Sequence, residues 1–279
     1  MRYSQTTKPP IGSRINWTSP LSKNLVGCWL MNEKSNRPFD SISGRGPKLV
    51  TGTPRFAPSI GGGGISFGQD SSTTDQIDLY APVNITANNP YTVILNVSSW
   101  PFVVSQKIID IYAVDGTRLI CAGYFSSGTV LSSSRLITED CNTNSTVSVA
   151  IAMKTKSYAW VWDPFHSSVG TFSGPLVYLN GDLTGVTGGA GGVRWAAHSC
   201  SDNVTIGNGI STIKRPTIGV IDSLYIYNRA LSPQEVSQLY QTPYAMFERK
   251  PYWLGYVADG ASSTPSSTVS STPSSTASS

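Results

Sequence analysis

The chain has 279 residues, of which 39% are hydrophobic and 13% charged, with a formal net charge of +4. That length suits one large β-domain or two small ones, and the low charge fits a sandwich with a Ser/Thr/Asn/Gly-rich exposed face or a particle-bound protein. Basic pairs such as Lys154/Lys156, Lys214/Arg215 and Arg249/Lys250 are scattered, without the dense stripe of a nucleic-acid groove. No run approaches the ~18 apolar residues of a membrane span, so neither nucleic acid nor a membrane is an expected partner.

The start, M-R-Y-S-Q-T-T-K-P-P, lacks the apolar core of a secretory signal. The expectation is a protein made in a cytoplasm and not secreted by a signal peptide. Residues 1–20 are polar and carry Pro9, Pro10 and Pro20, which makes them an extended arm. Such an arm is not expected to bury itself; it docks on a neighbour or stays mobile.

From Leu21 to Phe247 short β-branched and aromatic runs alternate with Gly/Pro/Asn/Ser breaks. Strands are predicted over 25–31, 64–68, 75–80, 91–97, 102–114, 117–125, 129–137, 146–153, 157–162, 175–180, 203–207 and 218–227. Asp115-Gly116 and Asn180-Gly181 are two-residue hairpin turns, because a type I′ turn needs φ > 0 at both central positions. The glycine clusters 61–64 and 188–192 are followed by neither Lys-Ser/Thr nor a helix, so they are not phosphate loops. They read as loops or strand entries where a side chain would clash.

One helix is predicted, after the strand ending at Tyr227. Ser232 is its N-cap, Pro233 sits at N1 and Glu235 at N3 closes a capping box. Leu231 and Val236 have the spacing of a hydrophobic staple, and Val236, Leu239 and Tyr240 form the apolar stripe. Beyond it, 243–257 is rich in aromatic residues, including Tyr244, Phe247, Tyr252 and Trp253. Such residues either pack on the domain's own flank or make an inter-subunit or particle contact. From Ala261 the chain repeats S-S-T-P-like tetrads and is expected to be a disordered tail. The organisation is then an arm (1–20), a β-domain (21–247), an aromatic segment (248–260) and a tail (261–279).

The closing stretch I-D-S-L-Y-I-Y-N-R-A-L-S-P-Q-E-V-S-Q-L-Y (221–240) resembles the end of laminin-G-like jelly rolls in the concanavalin A-like lectin/glucanase superfamily. L-V-G-C-W-L-M-N-E (25–33), followed by a turn at Asp40 to Gly44, resembles the family's opening strand. Gly64 to Gly68 leading to Ile77-Asp78-Leu79 resembles its next strand pair, and Val177 to Asp182 its late hairpin. The resemblance covers roughly Leu21 to Tyr240. It implies an all-β, two-sheet antiparallel jelly-roll sandwich with one short helix near the C-terminal end. P-P-I-G (9–12) through I-N-W (15–17), and L-Y-x-x-P-Y-A-M-F after the helix, further resemble laminin-G-like proteins of tailed bacteriophages. That context implies a non-enzymatic virion structural protein, a decoration protein attached to viral capsid or tail proteins. Its contacts would come from Pro9, Pro10, Trp17, Tyr244, Phe247, Tyr252 and Trp253, and a homo-oligomer is expected.

The superfamily's hydrolases resemble E-x-D-x-x-E, a close pair of carboxylates. The four glutamates here, Glu33, Glu139, Glu235 and Glu248, have no partner at that spacing. His166 and His198 accompany no G-x-S-x-G elbow, so an enzyme is not expected. The four cysteines show no C-x-x-C; Cys121 and Cys141 face each other across a hairpin or remain reduced. N-x-S/T sites at Asn16, Asn84, Asn96, Asn144 and Asn203 are read as unglycosylated. Calcium is a habit of the family; Asp75, Asp78 and Asp222, and beside them Asp70 and Asp182, are candidate ligands, although no D-x-D-x-D-G run makes a cage. Glycan binding is the second functional class. Trp160, Trp162 and His166, with Trp195, are its candidates, and Trp160 and Trp162 at i, i+2 are either a sugar platform or a core stripe.

Overall fold

The computed structural model describes residues 7–59, 61–67, 75–80, 89–99, 106–113, 118–124, 133–140, 143–150, 157–163, 176–183, 187–188, 200–207 and 219–248. Of these, Ser99, 106–150, Trp162, 187–188 and 200–203 are described by their backbone alone. The strands in chain order are β1 (Leu25–Trp29), β2 (Leu49–Thr51), β3 (Arg55–Ala57), β4 (Gly64–Phe67), β5 (Gln76–Tyr80), β6 (Tyr91–Ser99), β7 (Gln106–Ala113) and β8 (Arg118–Tyr124). They continue with β9 (Ser133–Asp140), β10 (Thr143–Ala150), β11 (Ser157–Trp162), β12 (Leu176–Leu179), β13 (Asp182–Leu183), β14 (Thr187–Gly188), β15 (Cys200–Gly207) and β16 (Gly219–Tyr227). Helix α1 spans Pro233–Gln241.

Two antiparallel sheets stack face to face. One runs β13-β12-β11-β6-β16-β4-β3, with β1 also paired to β16; the other runs β14-β10-β9-β8-β7-β15-β5-β2. Strands far apart in sequence pair in both sheets, β6 with β16 at the centre of the first and β5 with β15 near the β2 edge of the second. This is the expected jelly roll with its one helix near the C-terminal end.

Strand alternation sorts the side chains onto two cores. Trp29, Phe67, Leu95, Trp160, Leu224 and Ile226 point between the sheets, where they meet Ile77, Leu79, Val204 and Ile206 of the second sheet. Their neighbours Cys28, Ile94, Ala159, Tyr225 and Tyr227 point outward. They are covered by Val236 and Leu239 of α1 and by Tyr244, Met246 and Phe247. A sheet covered on both sides gives a continuous apolar run, and all nine residues of β16 are buried. Burying Val236 and Leu239 contributes about 1.5–3 kcal/mol each.

The local signals for α1 hold. The Ser232 hydroxyl accepts from the Glu235 N–H (3.2 Å) and the Glu235 carboxylate accepts from the Ser232 N–H (2.9 Å). Leu231 and Val236 are both buried in the outer core. Tyr240 departs from the expected stripe: it is 39% exposed. Asn180 and Gly181 take φ of 53° and 84°, forming the left-handed turn that joins β12 to β13. The 115–116 turn lies outside the described residues, but β7 and β8 pair across it as a hairpin. β8 and β9 set Cys121 opposite Ile137; Cys141 is outside the described residues. Strands β2, β3, β13 and β14 escape the sequence pattern because they are two or three residues long.

The arm is a correction. Its described part, from residue 7, docks on its own domain through the buried side chains of Lys8 and Ile15. Ile15 pairs with Phe247, the Asn16 N–H donates to Met246 O (2.8 Å) and the Glu248 N–H donates to Arg14 O (2.8 Å). Backbone pairing with the segment after α1 satisfies the arm's polar main chain, and Ile15 joins the outer core. Arg249–Ser279 form a second unit and lie outside the described residues, as do the aromatic residues Tyr252 and Trp253 and the Ser/Thr/Pro tail.

Candidate binding surface

Trp160 is 3% exposed and stacks on Tyr158 between the sheets, ring centroids 6.1 Å apart. The inward face of β11 therefore takes it out of any sugar platform, a correction to that reading. Trp162 is described only as a strand residue, and His166 and Trp195 lie outside the described residues. Tyr244 and Phe247 are 8% and 6% exposed. They pack on the domain's own flank, which corrects their reading as assembly contacts. Pro9 is half-buried, with its carbonyl accepting from Asn32 Nδ2 (2.9 Å). Pro10 is exposed and Trp17 is 58% exposed.

The three carboxylates offered to calcium do not converge. Asp75 Oδ1 accepts from the Thr53 N–H (2.7 Å). Asp78 Oδ1 accepts from Gln76 Nε2 and Thr205 Oγ1, both at 2.8 Å. Asp222 sits on β16 beside the arm. Among the described residues no group of three or more His, Cys, Asp or Glu could hold a metal ion, so these residues do not fit a calcium cage.

The side chain that approaches Asp222 is a buried cation. Lys8 is 7% exposed. Its ammonium donates to Gly63 O and to the main-chain oxygen of Asp222, the latter at 2.6 Å. Gly64 lets β4 approach β16 beside Asp222: a Cβ there would lie 2.6 Å from Ile221 O. Burial lowers the Lys8 pKa to about 8, against the pull of the Asp222 and Glu33 carboxylates. Burial likewise pushes the Glu33 carboxyl up, opposed by the Phe39 N–H and by Lys8. This knot anchors the arm.

The loop from Glu33 to Lys48 is built by its two carboxylates. Glu33 Oε1 accepts from the Phe39 N–H (3.1 Å). Asp40, 3% exposed, accepts from the N–H groups of Cys28 (2.9 Å), Ile42 and Ser43 (both 3.1 Å). With both acids turned inward, the exposed positions carry Lys34, Arg37, Phe39, Arg45 and Lys48. The Arg45 guanidinium stands 5.6 Å from the ring centre of Tyr80 on β5, a cation–π distance. Phe39 is 48% exposed and lies against Gly46, and Tyr80 is 38% exposed. Ile77 and Leu79 point inward, so Tyr80 and Leu49 belong to the outer face of the second sheet, at its β2 edge. The result is an exposed aromatic–cation rim. No local pattern links Arg45 to Tyr80; the β2–β5 pairing brings them together.

Comparison with known proteins adds the lineage. A family model described as the concanavalin A-like lectin/glucanases superfamily (Laminin_G_3) matches residues 70–237. The chain belongs to that family. This laminin-G-like chain is similar in fold to the binding domain of botulinum neurotoxin serotype G, with a TM-score of 0.55 and 15% identity over 78% of this chain and 50% of that one. It is also similar to the binding domain of botulinum neurotoxin DC, solved in complex with rat synaptotagmin II (TM-score 0.52, 12% identity, 78% of this chain and 51% of that one). A third is the Trypanosoma rangeli sialidase, solved with 2,3-difluorosialic acid (TM-score 0.55, 15% identity, 80% of this chain and 34% of that one). The chain spans about half or less of these relatives' length. No curated protein sequence matches it.

Proposed function

We propose that this protein is a non-enzymatic glycan-binding module carried on a phage particle as a decoration protein. The observation that carries the binding part is the exposed rim of Phe39, Arg45 and Tyr80 on a lectin-like sandwich. Exposed aromatic faces stack on sugar rings, and neighbouring polar groups orient them. The non-enzymatic part is supported by the roles of Glu33 and Glu235. Glu33 holds the Phe39 N–H and Glu235 caps α1, so neither is left as half of a hydrolytic pair.

The particle reading rests on the phage-like motifs at residues 9–17 and 239–247. A homo-oligomer would present several rims at once and raise weak sugar affinity by avidity. In this reading Trp17 supplies the exposed aromatic contact of the arm.

A glycan array probed with the full chain tests the binding reading. Selective binding above that of a β-sandwich control is expected, and a blank array removes the reading. Cryo-EM and mass spectrometry of particles from the source test the other half. Stoichiometric copies with Trp17 against a shell protein are expected; absence from particles ends the decoration reading.

A further inference from the structure

We infer that the rim of Phe39, Arg45 and Tyr80 is a subsite for the acid group and ring of an anionic glycan. The inference rests on the glycan-binding reading and adds the substrate class. Residues 33–48 hold two acids and four bases. The acids are consumed by the loop itself: Glu33 accepts from the Phe39 main chain, and Asp40 is buried under the Cys28, Ile42 and Ser43 N–H groups. The bases Lys34, Arg37, Arg45 and Lys48 are all exposed. Among the described residues no carboxylate meets the charge of Lys34, Arg37 or Arg45. The loop therefore presents positive charge outward while its negative charge is spent on its own backbone.

Arg45 is the centre of this surface. Its guanidinium lies over the Tyr80 ring at 5.6 Å, which restrains a long side chain and leaves its N–H groups for an oxyanion. A carboxylate or sulfate accepts two such N–H groups in a fork that lysine cannot reproduce. Phe39, against Gly46 next in the chain to Arg45, offers an open ring face on which the apolar side of a pyranose can stack. An aromatic face beside a held guanidinium matches a sugar bearing an acid group better than a neutral one. Asp78 shares the outer face with Tyr80 but is 6% exposed and occupied by Gln76 and Thr205.

The test uses the full chain on immobilised glycans in matched acidic and neutral pairs: sulfated and unsulfated lactose, and galacturonic acid oligomers with their methyl esters. Acidic members are expected to bind at least about tenfold tighter, with affinity falling as salt rises. Arg45→Ala should lower acidic-glycan binding by about tenfold or more. Arg45→Lys should recover only part of it, and Phe39→Ser should weaken binding with an unchanged salt slope. Melting curves of the exposed-site variants should overlay the parent. Equal binding of neutral and acidic members, unaffected by Arg45→Ala, would overturn the subsite while leaving the glycan reading intact. No binding to any glycan would remove both. A single-stranded oligonucleotide bound as tightly as the acidic glycans, with the same loss in Arg45→Ala, would make the rim a general polyanion surface and overturn the inference.

Discussion

The Lys8 ammonium spans 214 positions of sequence to reach the main-chain oxygen of Asp222 at 2.6 Å. It also donates to Gly63 O, while the Lys8 N–H donates to Gly61 O. One buried cation thus ties the arm, the glycine loop and the central strand β16 together.

Because burial lowers its pKa from 10.5 to about 8, Lys8 makes stability depend on pH. Between these values the unfolded chain holds a proton that the folded chain has released, so stability rises with pH. The rise due to Lys8 is about 1 kcal/mol from pH 8 to 9. Cys28, whose thiol burial pushes far up, acts with opposite sign from about pH 9, the ordinary thiol value being 9.0. Urea unfolding of the parent and of Lys8→Met, compared at pH 7, 8 and 9, separates the two, since Cys28 is common to both. The difference between the proteins should grow in the parent's favour by about 1 kcal/mol; a flat difference would show that burial does not lower the Lys8 pKa.

Arg229 latches the start of α1. Its guanidinium grips both oxygens of Glu235, at 2.7 and 2.8 Å, and donates to the carbonyls of Lys23 and Pro20. Burial pushes the Glu235 carboxyl up, but Arg229 and the Ser232 N–H outweigh it and hold it below its ordinary value of 4.5. The latch is therefore complete at neutral pH and is lost as pH falls below that value and through the depressed one. Arg229→Ala should cost about 1–3 kcal/mol at pH 7 and progressively less in acid. An equal loss at pH 7 and pH 3 would mean that the packing of Arg229 matters, not its charge.

Ser232→Ala removes the N-cap and should cost about 1 kcal/mol. Its effect on thermal unfolding should be non-additive with that of Glu235→Gln, because the two residues share the reciprocal bonds of the capping box. Strict additivity of the double variant would speak against that box.

Trp160→Ala should destabilise by about 3–5 kcal/mol through loss of a buried ring between the sheets. Binding per folded molecule should be unchanged, measured by titration against the acidic glycans below the unfolding transition. A loss of binding at unchanged stability would return Trp160 to the surface.

Gly64→Ala places a methyl 2.6 Å from both Ile221 O and Val220 Cγ1. The backbone of β4 must then move away from β16, at about 1–3 kcal/mol, read as a lower urea midpoint at unchanged slope. A variant with the parent's midpoint would show that this approach is looser than the geometry implies.

What the sequence alone determined was local chemistry. Ser232, Pro233 and Glu235 specify a helix start through bonds that close within four residues, so α1 was legible to the residue. Asn180-Gly181 specifies its turn because few other residues accept left-handed backbone. The alternation of β11 and the apolar run of β16 announced strands. Tertiary structure decided which face of each strand met which partner. Trp160 was half of a platform or of a core stripe until the second sheet closed over the inward face of β11. Tyr244 and Phe247 were contacts for another subunit or for the flank until the outer face of β16 needed a cover. The arm, with few apolar residues, had no visible destination; it pairs its backbone with residues some 230 positions away, and no local pattern encodes such a partner. The rim has the same origin. Phe39, Arg45 and Tyr80 are unremarked residues of one loop and one strand end, and become a surface only because β2 pairs with β5 at the edge of the second sheet.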